Sequence, residues 1–242
     1  MARLVTIDNK NHLTLKVDPR KAEMHGAELH LIPAVLSEFS DLAVQYPILL
    51  AKNEDSGQFT FTAMFGFELG ENLYWQNNAW QGLYLPLQIR RQPFFITNDD
   101  NEGQQSNNKT YAVCIDMDSP TVTTKGDVAL FNDNGLDSDY FQQAKAVLVQ
   151  LLKGEKSNEQ LIKHLQVMDL IQPLSLDITF VNQQSITLNG LYTIDQEKLA
   201  KLKDEQVLTL HQAGFLPAIH TMITSLGQVH ALIEKKNQQL IS

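Results

Sequence analysis

Apolar residues recur at every second position in short runs through the first half of the chain, and at helical spacing through the second. That change of period constrains the fold most. A period of two lays side chains on one face of a strand, and a period of 3.6 lays them along one stripe of a helix. "HLTLKV" and "ELHLI" (Glu28 to Ile32) alternate as strands do, and "PILLAK" and "QFTFTAMFGF" read as two strands around the turn "NEDSG". Between them Val35, Phe39, Leu42 and Tyr46 fall at helical spacing, and Pro47 marks the stop. "NLYWQ" predicts a short strand turned by "NNAWQG". Residues 98–109, "NDDNEGQQSNNK", predict a polar surface loop, and "TYAVCIDM" a further strand.

The character changes near residue 136. "DSDYFQQAKAVLVQLLKG" predicts a helix capped by Asp137 or Ser138 and ended by Gly154. "SNEQLIKHLQVMDLI" predicts a second helix, opened by a capping box of Ser157 and Gln160. "DITFVNQQSITLNGLYTI" predicts a hairpin with Gln183 and Gln184 near its turn. Three helical stretches follow: "DQEKLAKL", "DEQVLTLHQAG" and "FLPAIHTMITSLGQVHALIEKKNQQ". The expected class is α+β, a strand-rich N-terminal part packed with a helix-rich C-terminal part carrying an inserted β-hairpin. The expected organisation is a single domain over 1–242, or two tightly packed lobes at 1–135 and 136–242.

At 43% hydrophobic and 19% charged residues, the 242-residue chain is in the globular range and long enough to bury a core without disulfides. Its one cysteine, Cys114, sits mid-strand in "AVCID" and reads as a buried, inert thiol. A net charge of −9 argues against nucleic-acid binding, which needs basic surface. The N-terminus alternates like a strand and carries no signal-peptide pattern, and no apolar run is long enough for a membrane span. A cytoplasmic protein with no membrane insertion is expected.

"YLPLQIRRQPFFI" (Tyr84 to Ile96) sets Arg90 and Arg91 inside one of the most apolar runs. Pro86 is placed to open a short helical turn and Pro93 to end it. Adjacent side chains on such a turn point about 100° apart, so the two arginines are expected to be unequal. Three readings stand: a guanidinium–carboxylate anchor, an anion or ligand-carboxylate site, and a solvated pair. Tyr74, Trp75, Trp80, Tyr84, Phe94 and Phe95 make this the aromatic-rich region, suited to a core or to an interface.

The histidines (His12, His25, His30, His164, His211, His220 and His230) form no HxH or HExxH pattern. His220 and His230 are ten apart on an expected single long helix, about 15 Å along its axis. "DDNEG" lacks the frame of an EF-hand. No G-x-S-x-G, P-loop, dinucleotide fingerprint or CxxC is present. No metal and no cofactor is expected.

The ordered series "LSEFSDLAVQYPILL", "FGFELGENLYW", "YLPLQIRRQPF", "LFNDNG", "LNGLYTIDQEKLAKL" and "LHQAGFLPAIHTMITSL" resembles the SapC-like family of bacterial proteins, over about residues 28–232. The resemblance implies a soluble accessory protein of surface-layer (S-layer) loci, or a neighbour of TonB-dependent receptors, halogenase-like and hydroxylase-like proteins. The transporter permease of the same name is unrelated, since this chain lacks the spans a permease needs. The chain departs from the family pattern at Gln92, where an aromatic is common, and near His220, where a tyrosine is common. The resemblance also puts Glu38 in a recurrent "EF" pair and makes it the preferred partner of the buried arginine.

The leading functional reading is a non-enzymatic accessory protein that binds a partner protein or a small anionic ligand. Its candidate residues are Glu38, Tyr84, Arg90, Arg91 and His220. The rival is an enzyme of a modification pathway, with a carboxylate as base and the arginines holding an anionic substrate. A third is an assembly module whose aromatic face makes a homodimer.

Overall fold

The computed structural model describes residues 3–98, 111–125 and 128–241. The stretch read as a polar loop, 98–109, lies outside these apart from Asn98. Strands and helices are both present and every strand pair is antiparallel, so the class is α+β. The chain divides into two compact units, each made of two segments: Met1–Gly26 with Leu87–Leu152, and Ala27–Pro86 with Lys153–Ser242. Neither coincides with the ranges 1–135 and 136–242.

In the first unit, strand Tyr111–Asp116 lies between Leu4–Thr6 and Phe94–Asn98. Their apolar face meets the start of the helix Asp139–Val167 through Phe141, Ala144 and Leu148, which fall on one stripe. Phe94, Ile115, Leu130 and Phe131 complete that core. Ser138 is the residue that caps the helix, its hydroxyl accepting the Phe141 N–H at 3.2 Å. Cys114 is buried against the hydroxyls of Thr6 and Thr97, at 3.6 and 3.3 Å. "HLTLKV" forms far less strand than its alternation predicts, only Lys16–Val17. Upstream, the Asp8 carboxylate accepts the N–H groups of Lys10 and Asn11 and folds the chain into a turn instead.

The second unit is built on a five-stranded sheet. Its order is Ile171–Thr179, Ser185–Ile194, Ile48–Lys52, Phe59–Met64, Leu31–Pro33. Pro173 and Pro33 sit on the two edge strands, where a missing N–H is tolerated. Ile48, Leu49 and Leu50 are fully buried, so this inner strand reads as a continuous apolar run. The predicted hairpin is present, with Gln183 in its turn at φ +68°. "NNAW" closes a second hairpin, Trp75–Gln76 against Ala79–Trp80. Asn77 and Asn78 there both take positive φ, as the tightest hairpin turn requires.

Two helix boundaries differ from the sequence reading. No break occurs at Gly154: one helix runs from Asp139 to Val167. A Cβ on Gly154 would lie 2.5–3.0 Å from the side-chain atoms of Val35, so the glycine permits a close approach rather than ending a helix. Ser157 and Gln160 therefore lie mid-helix, and the Ser157 hydroxyl donates back to the Lys153 carbonyl. Asn158 on the same turn ties the contact down: its amide donates to the Ala34 carbonyl at 2.7 Å and accepts the Leu36 N–H at 3.0 Å. The C-terminal stretch, read as one helix, is two, Leu216–Ser225 and Gln228–Ile241. His220 and His230 thus sit on different helices. The break is anchored by Ser225, whose buried hydroxyl donates to the Met222 carbonyl and accepts the Ile48 N–H.

Candidate functional site

Glu38 is the charged residue most deeply placed in the second unit, with no exposed surface. It ends a 3-10 turn, Leu36–Glu38, that leads directly into the helix Phe39–Leu42. One carboxylate oxygen accepts the Val35 N–H at 3.1 Å, and the other accepts the Tyr84 hydroxyl at 3.2 Å. The stripe Val35, Phe39, Leu42 and Tyr46 is buried throughout, as its spacing predicts.

Tyr46 joins this turn to an aromatic cluster. Its hydroxyl donates to the Tyr84 carbonyl at 2.6 Å and accepts the Trp80 indole N–H at 3.2 Å. Tyr46 meets Phe65 and Tyr74 edge-on, with ring centroids 5.1 and 4.7 Å apart. The Tyr74 hydroxyl donates to the Gln45 carbonyl, and the Gln45 side chain accepts the Leu83 N–H. Gly82 leaves room for this arrangement, since a Cβ there would collide with the Tyr46 hydroxyl and the Trp80 indole nitrogen. Burial pushes the Tyr46 phenol up to about 12 and raises that of Tyr74 as well. Both stay protonated near neutral pH and act as hydrogen-bond donors, not as bases.

His220 also belongs to this unit. It is exposed on Leu216–Ser225, while Ile219, Met222 and Ser225 of that helix are buried. The structure thus brings Glu38 and Tyr84 into contact and leaves His220 on a solvent face.

Arg90 and Arg91 lie in the first unit, at the end of the short helix Leu87–Arg90. They are unequal. Arg91 is half-buried. Its guanidinium donates to the Gln88 side chain at 2.7 Å and to the Phe94 carbonyl at 3.0 Å, and it stacks on the Phe95 ring at 4.2 Å. Arg90 is exposed, and it makes no hydrogen bond or ion pair among the described residues. His25, in the 3-10 helix Pro19–Gly26, bonds the Ser119 hydroxyl at 3.0 Å, and burial lowers its pKa.

The model of the SapC family matches residues 7–232. The chain belongs to the SapC family. No curated protein and no solved structure matches it. No helix among the described residues of this SapC-family chain is long and apolar enough to cross a membrane.

Two concave surfaces were not foreseen from the sequence. In the first unit a hollow of about 500 Å³ is floored by Phe131 and Phe141 and rimmed by Asp8, Asp137 and Lys145. Its lysine is already engaged, 2.5 Å from the Asp137 carboxylate and 4.3 Å over the Phe141 ring. In the second unit a groove of about 680 Å³ runs between the end of Asp139–Val167 and the helix Asp204–Gln212. Its walls come from helices some forty residues apart in sequence, so no local motif could announce it.

Proposed function

We propose that this SapC-family chain is a non-catalytic accessory protein that binds a partner protein or a small anionic ligand, with Arg90 as a principal contact. One observation carries the reading: Arg90 presents an exposed guanidinium without a partner among the described residues, beside an Arg91 immobilised by Gln88, Phe94 and Phe95. A guanidinium offers five donors in a planar fork suited to carboxylates and phosphates. In a chain of net charge −9, a cation left unneutralised is a recognition element in a repulsive surrounding. The buried Glu38 supports binding over catalysis, because its oxygens are turned inward to Val35 and Tyr84. Resemblance to the SapC-like family supports a role in a surface-layer, TonB-receptor or halogenase/hydroxylase-associated pathway, with the cytoplasm as the proposed compartment. Wild-type and Arg90→Ala proteins, immobilised and exposed to extract of the native host, test this. The reading expects species retained by the wild type and depleted at least tenfold on the variant. Identical retention on both baits contradicts it.

A further inference from the structure

The groove in the second unit combines an apolar lining with the side chains of Lys163 and His164. Phe215 forms its buried floor, and Met168, Ala213 and Val167 line its sides. Val167 is 78% exposed, an unusual position for a valine at the end of a long helix. Lys163 and His164 stand on the preceding turn of the same helix. Lys163 is exposed and makes no ion pair or hydrogen bond among the described residues, although Glu159 lies one turn before it.

The His164 ring is held on two sides. Its Nδ1 donates to the Gln160 carbonyl at 2.8 Å, since a carbonyl only accepts. The ring meets Phe215 edge-on at 5.3 Å. With the proton on Nδ1, Nε2 of the neutral ring is an acceptor, and it makes no hydrogen bond among the described residues.

An apolar trough bordered by the Lys163 ammonium matches a molecule that is apolar along its body and anionic at its tip. We propose that this groove binds an amphipathic carboxylate, the free acid of an aliphatic chain or an aromatic ring system. The body lies over Phe215, Met168, Ala213 and Val167, and the carboxylate meets the Lys163 ammonium. A groove of about 680 Å³ falls within the roughly 300–1,000 Å³ usual for small-molecule sites. None of these residues is shared with the Arg90 reading, so either can fail without the other.

Titration calorimetry with decanoate, and with decanol as its uncharged counterpart, tests the proposal. Decanoate should bind the wild-type chain at one site, at least tenfold more tightly than decanol. Lys163→Met should weaken decanoate at least fivefold and leave decanol unchanged. Val167→Asp, a change at an exposed position, should abolish binding of both. Equal affinities for the two compounds, insensitive to Lys163→Met, would reduce the groove to a non-specific apolar surface and overturn the proposal. So would absence of decanoate binding together with a dimer in sedimentation velocity that Val167→Asp dissociates, which would mean a second copy fills the groove.

Discussion

The Tyr46 hydroxyl donates to the Tyr84 carbonyl at 2.6 Å, and the Tyr84 hydroxyl donates to the Glu38 carboxylate at 3.2 Å. Tyr84 is thereby held at both ends by residues of the segment between strands Leu31–Pro33 and Ile48–Lys52. A hydrogen bond to a buried carboxyl contributes more than an exposed one, because its loss leaves the oxygen desolvated. Tyr84→Phe is therefore expected to lower stability by about 1–3 kcal/mol in urea unfolding, with the m-value unchanged. Wild-type stability in that variant would show that the bond contributes nothing.

Gly82 is the position where the cluster has no slack. A methyl group there meets the Tyr46 hydroxyl and the Trp80 indole nitrogen, so both hydrogen bonds must break or the segment must shift. Gly82→Ala is expected to cost about 2–4 kcal/mol, an overpacking penalty plus the bonds lost. Trp80 emission should move to longer wavelength as its surroundings loosen. Unchanged emission with unchanged stability would contradict the packing described.

Gly154 offers a test of sign. In a helix interior, glycine to alanine normally stabilises by up to about 1 kcal/mol. Here the new methyl group would press on Val35, and overpacking costs about 1–3 kcal/mol. Gly154→Ala should therefore be less stable than the wild type. A rise in melting temperature would mean that the helix does not approach Val35 so closely.

His25 and His30 both have pKa values lowered from 6.5. Burial is the main cause for each, opposed at His25 by Asp116 and at His30 by Glu71. The fold prefers their neutral forms, so below about pH 6.5 the unfolded chain binds more protons than the folded one. Their contribution is intact above that pH and is lost as pH falls through the lowered values. The urea midpoint should drop between about pH 7 and about pH 5, and the His25→Gln, His30→Gln double variant should show a shallower drop. An unchanged slope in that variant would assign the effect to other groups.

Much of the fold was legible because local pattern and tertiary role agree. The hairpin around Gln183, the "NNAW" turn and the buried stripe from Val35 to Tyr46 all follow from spacing and turn chemistry. Gly154 misled because a glycine looks the same as a helix stop and as a close contact, and only Val35, far away in sequence, tells them apart. "HLTLKV" misled because its first residues close a turn, the Leu15 N–H donating to the His12 carbonyl, which leaves only Lys16 and Val17 to pair as a strand. At the candidate site, the inequality of Arg90 and Arg91 follows from adjacency on a short helix. Lys163 and His164 gave no signal, since their groove is completed by Phe215, from the connection between helices Asp204–Gln212 and Leu216–Ser225.

The central claim is that the twin arginine divides its labour, Arg91 supporting the fold and Arg90 making contact with a ligand or partner. Unfolding and capture measured side by side on Arg90→Ala and Arg91→Ala test it most directly. Arg90→Ala should lie within about 0.5 kcal/mol of the wild type, as exposed substitutions do. It should nonetheless lose the species that the wild type retains from host extract. Arg91→Ala should be less stable by about 1–3 kcal/mol, having lost its bonds to Gln88 and Phe94 and its stacking on Phe95. If both variants unfold like the wild type and retain the same species, the pair is a solvated edge and the account is wrong.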